Sequence, residues 1–120
     1  MNLQTWPEEL TVCQIQDETE APKAGLCFLS RTDEELSLVC ESRYAPDNCL
    51  RREDGWRAFR VAGVLDFSLI GILARITALL AAEKIGVFVT STYDTDYVLV
   101  KKERFSDALQ TLKSAGYTVE

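Results

Sequence analysis

The residues best placed to do chemistry stand together in the stretch STYDTDYVLV, Ser91 to Val100. Asp94 and Asp96 form an i,i+2 carboxylate pair, with the hydroxyls of Ser91 and Thr92 just ahead of them. A carboxylate there can take a ligand ammonium or guanidinium through a charge-assisted hydrogen bond. The bland alternative is a hairpin connection, in which Asp94 accepts the Asp96 N–H in an Asx-turn. As a catalytic pair the two aspartates lack any reactive neighbour. As a metal pair they lack further ligands at suitable spacing, so no metal is expected.

The second constellation is Gly63, Val64, Leu65, Asp66, Phe67 and Ser68. It opens a helical pattern, and free N–H groups in a first helical turn suit an anion such as an α-carboxylate. Asp66 and Ser68 are also capable N-caps, a role compatible with binding by the backbone. Tyr93, Tyr97 and Phe67 have the chemistry to wall a pocket, while Trp56 and Phe59 suit a core or a contact surface. A place in a core or interface is the better reading for all five.

Much chemistry is excluded by what is missing. The chain has no histidine, so neither a Ser-His-Asp nor a Cys-His nucleophile can be written. There is no G-x-G-x-x-G and no P-loop, and no cofactor is expected. The four cysteines, Cys13, Cys27, Cys40 and Cys49, show no C-x-x-C spacing and read as reduced thiols packed as small hydrophobes. A formal net charge of -6 makes nucleic acid a poor partner. The N-terminus carries no signal-peptide pattern, and the apolar run from Phe67 to Ala82 is short for a membrane span and broken by Arg75. A cytoplasmic protein without membrane contact is the expectation.

The elements that must position these residues are clearest in the C-terminal half. WRAFRVAGV (Trp56 to Val64) alternates as a strand. Leu69, Ile72, Leu73, Ile76, Leu79 and Leu80 then recur at helical spacing, predicting a helix over about 68–84 with Gly86 as its C′ stop. GVFVTSTY and YVLVKK are rich in β-branched and aromatic residues, predicting two strands. Phe105, Ala108, Leu109, Leu112 and Ala115 line one face of a second helix that stops at Gly116, and YTVE closes as a strand. The order is βαββαβ: an α+β, ferredoxin-like unit with an antiparallel sheet and both helices on one face.

The N-terminal half repeats the plan with fewer helices. LTVCQIQ, LCFLSRT and LSLVCES read as strands, DETEAPKAG as a turn-rich stand-in for a helix, and YAPDNCLRREDG as a linker, or one short helical turn plus a loop, with Arg51 and Arg52 solvated. The expected organisation is a degenerate half over 1–54 and a full unit over 55–120.

SRTDEELSLVCES (30–42) and GWRAFRVAGVLDFSLIGILARITALLAAEKIGVFVTSTYDTDYVLV (55–100) resemble the ACT domain family of small-molecule-binding regulatory modules. More narrowly, LDFSLIGIL followed by STYDTDYVLV is similar to small bacterial tandem-ACT proteins, which share a C-terminal signature with the cytosolic arginine sensors of animals. The resemblance implies a non-catalytic module that binds an amino acid at the strand-to-helix loop, with Asp96, Ser91 and Thr92 as recognition residues. It also implies a homodimer paired through sheet edges. The alternative is an assembly module that pairs through its sheet without ligand.

Overall fold

The computed structural model describes residues 1–63 and 69–120. Among the described residues seven strands and two α-helices follow in order: β1 (Asn2–Ile15), β2 (Cys27–Arg31), β3 (Leu36–Glu41), β4 (Arg51–Val61), α1 (Ile72–Ala82), β5 (Phe88–Ser91), β6 (Asp96–Lys101), α2 (Lys102–Ser114) and β7 (Thr118–Val119). The chain divides into two compact units, Met1–Pro7 with Arg57–Glu120, and Glu8–Trp56.

In the first unit the strands lie in the order β7-β1-β4-β6-β5. Phe59 and Val61 of β4 and Val98 and Val100 of β6 share a core with Ile76 and Leu80 of α1 and Phe105, Ala108 and Leu112 of α2. Side chains alternate across a strand, so both helices pack on the one face that these residues present. The mixed α/β architecture, antiparallel apart from β7, is the one the sequence predicts. One pairing differs: β7 lies parallel to β1, with Asn2 opposite Thr118 and Leu3 opposite Val119. The first residues of the chain, which the sequence reading left outside any strand, therefore stand between β7 and β4. Leu3, fully buried in the core, is the apolar anchor that holds them there.

Both helices end in the same device. In α2 the Tyr117 N–H reaches Leu112 O at 3.1 Å and the Gly116 N–H reaches Lys113 O at 3.0 Å, with Gly116 at φ 103°. This is the Schellman arrangement the sequence predicts at Gly116. In α1 the equivalent bonds run from Ile85 to Leu80 O (3.0 Å) and from Lys84 to Ala81 O (2.9 Å). The left-handed residue is thus Lys84, at φ 60°, and not Gly86. The hydrophobic partner of the motif decides this: Ile85 must meet Leu80 in the core, which fixes the residue before it as the turn. The helix is also shorter than the predicted 68–84, and Gly71 stands at its N-cap with φ 85°. Arg104 of α2 closes the other side, donating to Glu83 O at 3.3 Å and Lys84 O at 3.5 Å, where a cation also complements the helix dipole.

In the second unit the order is β2-β3-β1-β4. The expected linker YAPDNCLRREDG is only partly one, because β4 begins at Arg51. Arg51 and Arg52 are exposed but engaged: Arg51 Nε donates to Gln14 Oε1 at 3.0 Å, and Arg52 Nη2 to Asp54 Oδ1 at 2.8 Å. Asp54 also accepts from the buried Thr11 hydroxyl at 2.7 Å. In place of α-helices this unit holds two short 3-10 turns, Glu18–Glu20 and Ser42–Tyr44. Asp17 caps the first, and its bonds from the Thr19 N–H and hydroxyl hold its carboxyl below the usual range.

All four cysteines are free and sit in this unit. Cys13 and Cys40 share a small core with Ile15 and Leu38, and Cys27 and Cys49 pack against it. Burial pushes the Cys13 thiol up to about 12, helped by Cys49 and Cys40, and the Cys40 thiol up to about 11, helped by Cys27. Such thiols hold their protons and behave as apolar groups. When the chain unfolds they regain a value near 9.0 and lose their protons earlier. The unfolded chain then binds fewer protons than the folded one, so stability falls as pH rises above about 9 toward 11–12. Urea unfolding at pH 8 and pH 10.5 should show the loss. A Cys13→Ala/Cys40→Ala double variant should lose less over the same interval, and an equal loss would place the alkaline sensitivity elsewhere.

Candidate functional site

The β5–β6 hairpin carries the aspartates, and its register pairs Ser91 with Asp96 directly. The corner between them spans residues 92–95. It is closed by Thr92, whose N–H donates to Thr95 O at 2.8 Å and whose hydroxyl donates to the same oxygen at 3.2 Å. The Thr92 hydroxyl also accepts the Thr95 N–H at 3.3 Å. The predicted Asx-turn on Asp94 is therefore replaced by a threonine turn two residues earlier. A hydroxyl both donates and accepts, and so satisfies both sides of the corner, which a carboxylate cannot do. Asp94 is left exposed.

Asp96 behaves differently. It is half-buried, and one carboxylate oxygen accepts the Ser91 hydroxyl across the strand pair. Of the two aspartates, only Asp96 is thus held in a fixed orientation by a neighbour. Tyr93, placed by the sequence reading in a core or interface, is 80% exposed at the tip of the corner. Tyr97 and Phe59 are buried, at 7% and 0% exposure.

Thr95 is the residue that sequence reasoning passed over. It is the buried member of the corner, and its hydroxyl donates to Val61 O at 2.9 Å. That bond ties the corner to the end of β4, two residues before Gly63. Gly63 itself is exposed at φ 88°, a backbone region open to glycine at little cost. The structure thus places Ser91, Thr92, Asp94 and Asp96 in one hairpin, whose corner is tied through Thr95 to the end of the strand that leads to Gly63. Val64, Leu65, Asp66, Phe67 and Ser68 lie outside the described residues. The signal for Thr95 was present in the sequence: a small hydroxyl between two carboxylates, at a corner where the ladder stops and a carbonyl needs a donor.

The other hairpin has the same corner. In β2–β3, Arg31 pairs with Leu36, and Thr32 donates its N–H to Glu35 O at 2.9 Å and accepts from the Glu35 N–H at 3.1 Å. Its neighbourhood differs. Glu41 at the end of β3 is 1% exposed, accepts the Leu26 N–H at 2.8 Å and takes a fork from Arg43 at 2.9 and 3.1 Å.

Among the described residues no cluster of three or more His, Cys, Asp or Glu side chains is arranged to hold a metal. Nor is any helix among them long and apolar enough to cross a membrane.

Residues 51–114 match the ACT domain family. The chain belongs to that family. The match covers β4 through α2, the segment that holds the corner and its tie to Val61. A protein of known structure from Agrobacterium tumefaciens is similar over 99% of this chain and 91% of its own, at 28% identity and a TM-score of 0.88. A Vibrio cholerae protein, described as a possible transport protein, is similar over 92% of this chain and 85% of its own, at 22% identity and a TM-score of 0.73. The ligand-free regulatory subunit of aspartate kinase from Thermus thermophilus shares the fold at 9% identity, with a TM-score of 0.67 over 95% of this chain and 96% of its own. No curated protein matches the chain.

Proposed function

We propose that this ACT domain protein is a non-catalytic regulatory module that binds a small amino acid at the β5–β6 corner and the β4 exit. The observation that carries the reading is the Thr95 hydroxyl on Val61 O, which unites the corner bearing Asp96 with the strand leading to Gly63. Asp96 is the group for the ligand's ammonium or guanidinium, and main-chain N–H groups of residues 63–68 are the groups for its carboxylate. Regulatory use is supported by family membership and by the fold shared with the aspartate kinase regulatory subunit. The likeness of 91–100 to the animal arginine sensors favours a guanidinium-bearing ligand.

The chain is read as a tandem, with the half before residue 55 a helix-poor copy of the half after it. Matching threonine corners support this, as does the helical turn that follows β3 directly where α2 follows β6. A homodimer paired through the exposed edge strand β5, in the cytoplasm, completes the proposal. An assembly module without ligand is the competing reading, favoured by the 94% exposure of Ile70.

A thermal-shift screen of the twenty amino acids separates the two. At least one, arginine foremost, should raise the melting temperature by a few degrees at millimolar concentration. Asp96→Ala should abolish that shift while leaving the unliganded melting temperature nearly unchanged. No shift with any amino acid would favour the assembly reading.

A further inference from the structure

We propose that the first unit carries a separate site for a small aromatic monocarboxylate, built around Arg60 on the sheet face opposite the helices. A cavity of about 300 Å³ lies there, lined among others by Gln4, Trp6, Phe59, Arg60, Tyr97 and Glu120. That volume is at the small end for ligand pockets. Arg60 follows Phe59 and Tyr97 precedes Val98, so alternation turns both away from the helix-facing core.

The chemistry rests on the guanidinium. Its Nε donates to Gln4 Oε1 at 3.0 Å and its Nη1 to the Tyr97 hydroxyl at 2.6 Å, and its carbon stands 5.7 Å from the centre of the Tyr97 ring. These partners orient the plane without neutralising the charge. Arg31, Arg43, Arg52 and Arg104 each face a carboxylate. Among the described residues none lies within ion-pair distance of Arg60, although the group is half-buried and always charged. Two of its five N–H groups are engaged, which leaves donors for a bidentate carboxylate. A half-desolvated cation without a counter-ion gains by acquiring one.

The rest of the lining narrows the ligand. Trp6 and the ring of Tyr97 offer aromatic surface for a flat body. Glu120, whose Oε1 accepts from Asn2 Nδ2 at 3.2 Å, adds a negative charge to the same cavity. One cation beside one anion leaves the cavity no net positive charge with which to hold a dianion such as phosphate.

Trp6 makes the site readable. The chain has two tryptophans, so Trp56→Phe leaves Trp6 as the sole indole reporter. In that background, benzoate should change the emission saturably in the millimolar range. Benzamide, its neutral counterpart, and inorganic phosphate should each need at least about ten-fold more. Arg60→Lys, which keeps the charge and loses the fork, should weaken benzoate about ten-fold, and Arg60→Met should abolish the response with an unchanged circular dichroism spectrum. Asp96→Ala should leave benzoate binding as it was. The proposal fails if benzoate and benzamide act alike, if benzoate gives no saturable response, or if Arg60→Lys binds as the parent does. Loss of benzoate binding in Asp96→Ala would overturn the separateness of the site.

Discussion

Phe59→Ala should destabilise the protein by about 3–5 kcal/mol, the largest effect expected of any single side chain described. Phe59 is fully buried near the C-terminal end of β4, in the core that gathers residues from both helices, β1 and β6. Removing its ring forfeits the transfer energy of an aromatic side chain and leaves a cavity between elements whose backbones are fixed by sheet pairing. Those elements cannot slide inward to close the gap without breaking register. Against a total of about 5–15 kcal/mol for an ordinary domain, the loss is a large fraction. Urea unfolding should show a midpoint far below the parent's with a similar slope. A cost under about 1 kcal/mol would mean that the helices collapse onto the sheet more freely than this packing allows.

The second large effect belongs to Gly25 and Glu41. Gly25 adopts φ 76°, and a Cβ placed there would stand 2.8 Å from both the Glu41 carboxyl carbon and one of its oxygens. The far end of a side chain normally moves aside cheaply. This one is buried, takes the Leu26 N–H on one oxygen and the Arg43 fork on the other, and cannot. Gly25→Ala should therefore cost about 2–4 kcal/mol, part from left-handed backbone strain and part from the displaced carboxylate. Glu41→Ala should cost about 2–4 kcal/mol by itself, since it leaves the Leu26 N–H unpaired while Arg43 stays hydrated. The combination is diagnostic. Once Glu41 is alanine the clash is gone, and Gly25→Ala should cost only the strain, about 1–2 kcal/mol. Additive costs in the double variant would show that the two residues do not meet.

The elements that were legible in the sequence are those whose signals are local. The α2 face of Phe105, Ala108 and Leu112 and its stop at Gly116 need only a helical period and one glycine. The β5–β6 hairpin needs two β-branched runs. Less legible were features set by distant partners. Asn2 and Leu3 are strand because β7 lies alongside them, more than a hundred positions later. Lys84, a poor left-handed residue, closes α1 because Ile85 is wanted in the core, and the nearby Gly86 misleads for that reason. At the candidate site the hairpin was legible in the sequence and the bonds that close its corner were not. Thr92 closes the turn that was expected of Asp94, and Thr95, which bonds the corner to β4, looked like a spacer. Arg60 passed as an ordinary strand residue, because its neutral partners Gln4 and Tyr97 lie far from it along the chain.

Glu41 has a consequence for what the second unit can respond to. Its carboxylate sits on a main-chain N–H and an arginine fork, the donors that a dissolved anion would otherwise seek. An acceptor tethered to the same chain competes at an effective concentration that no free solute reaches. Those donors are therefore saturated at every metabolite level. A dissolved anion could reach them only by displacing the Glu41 carboxylate.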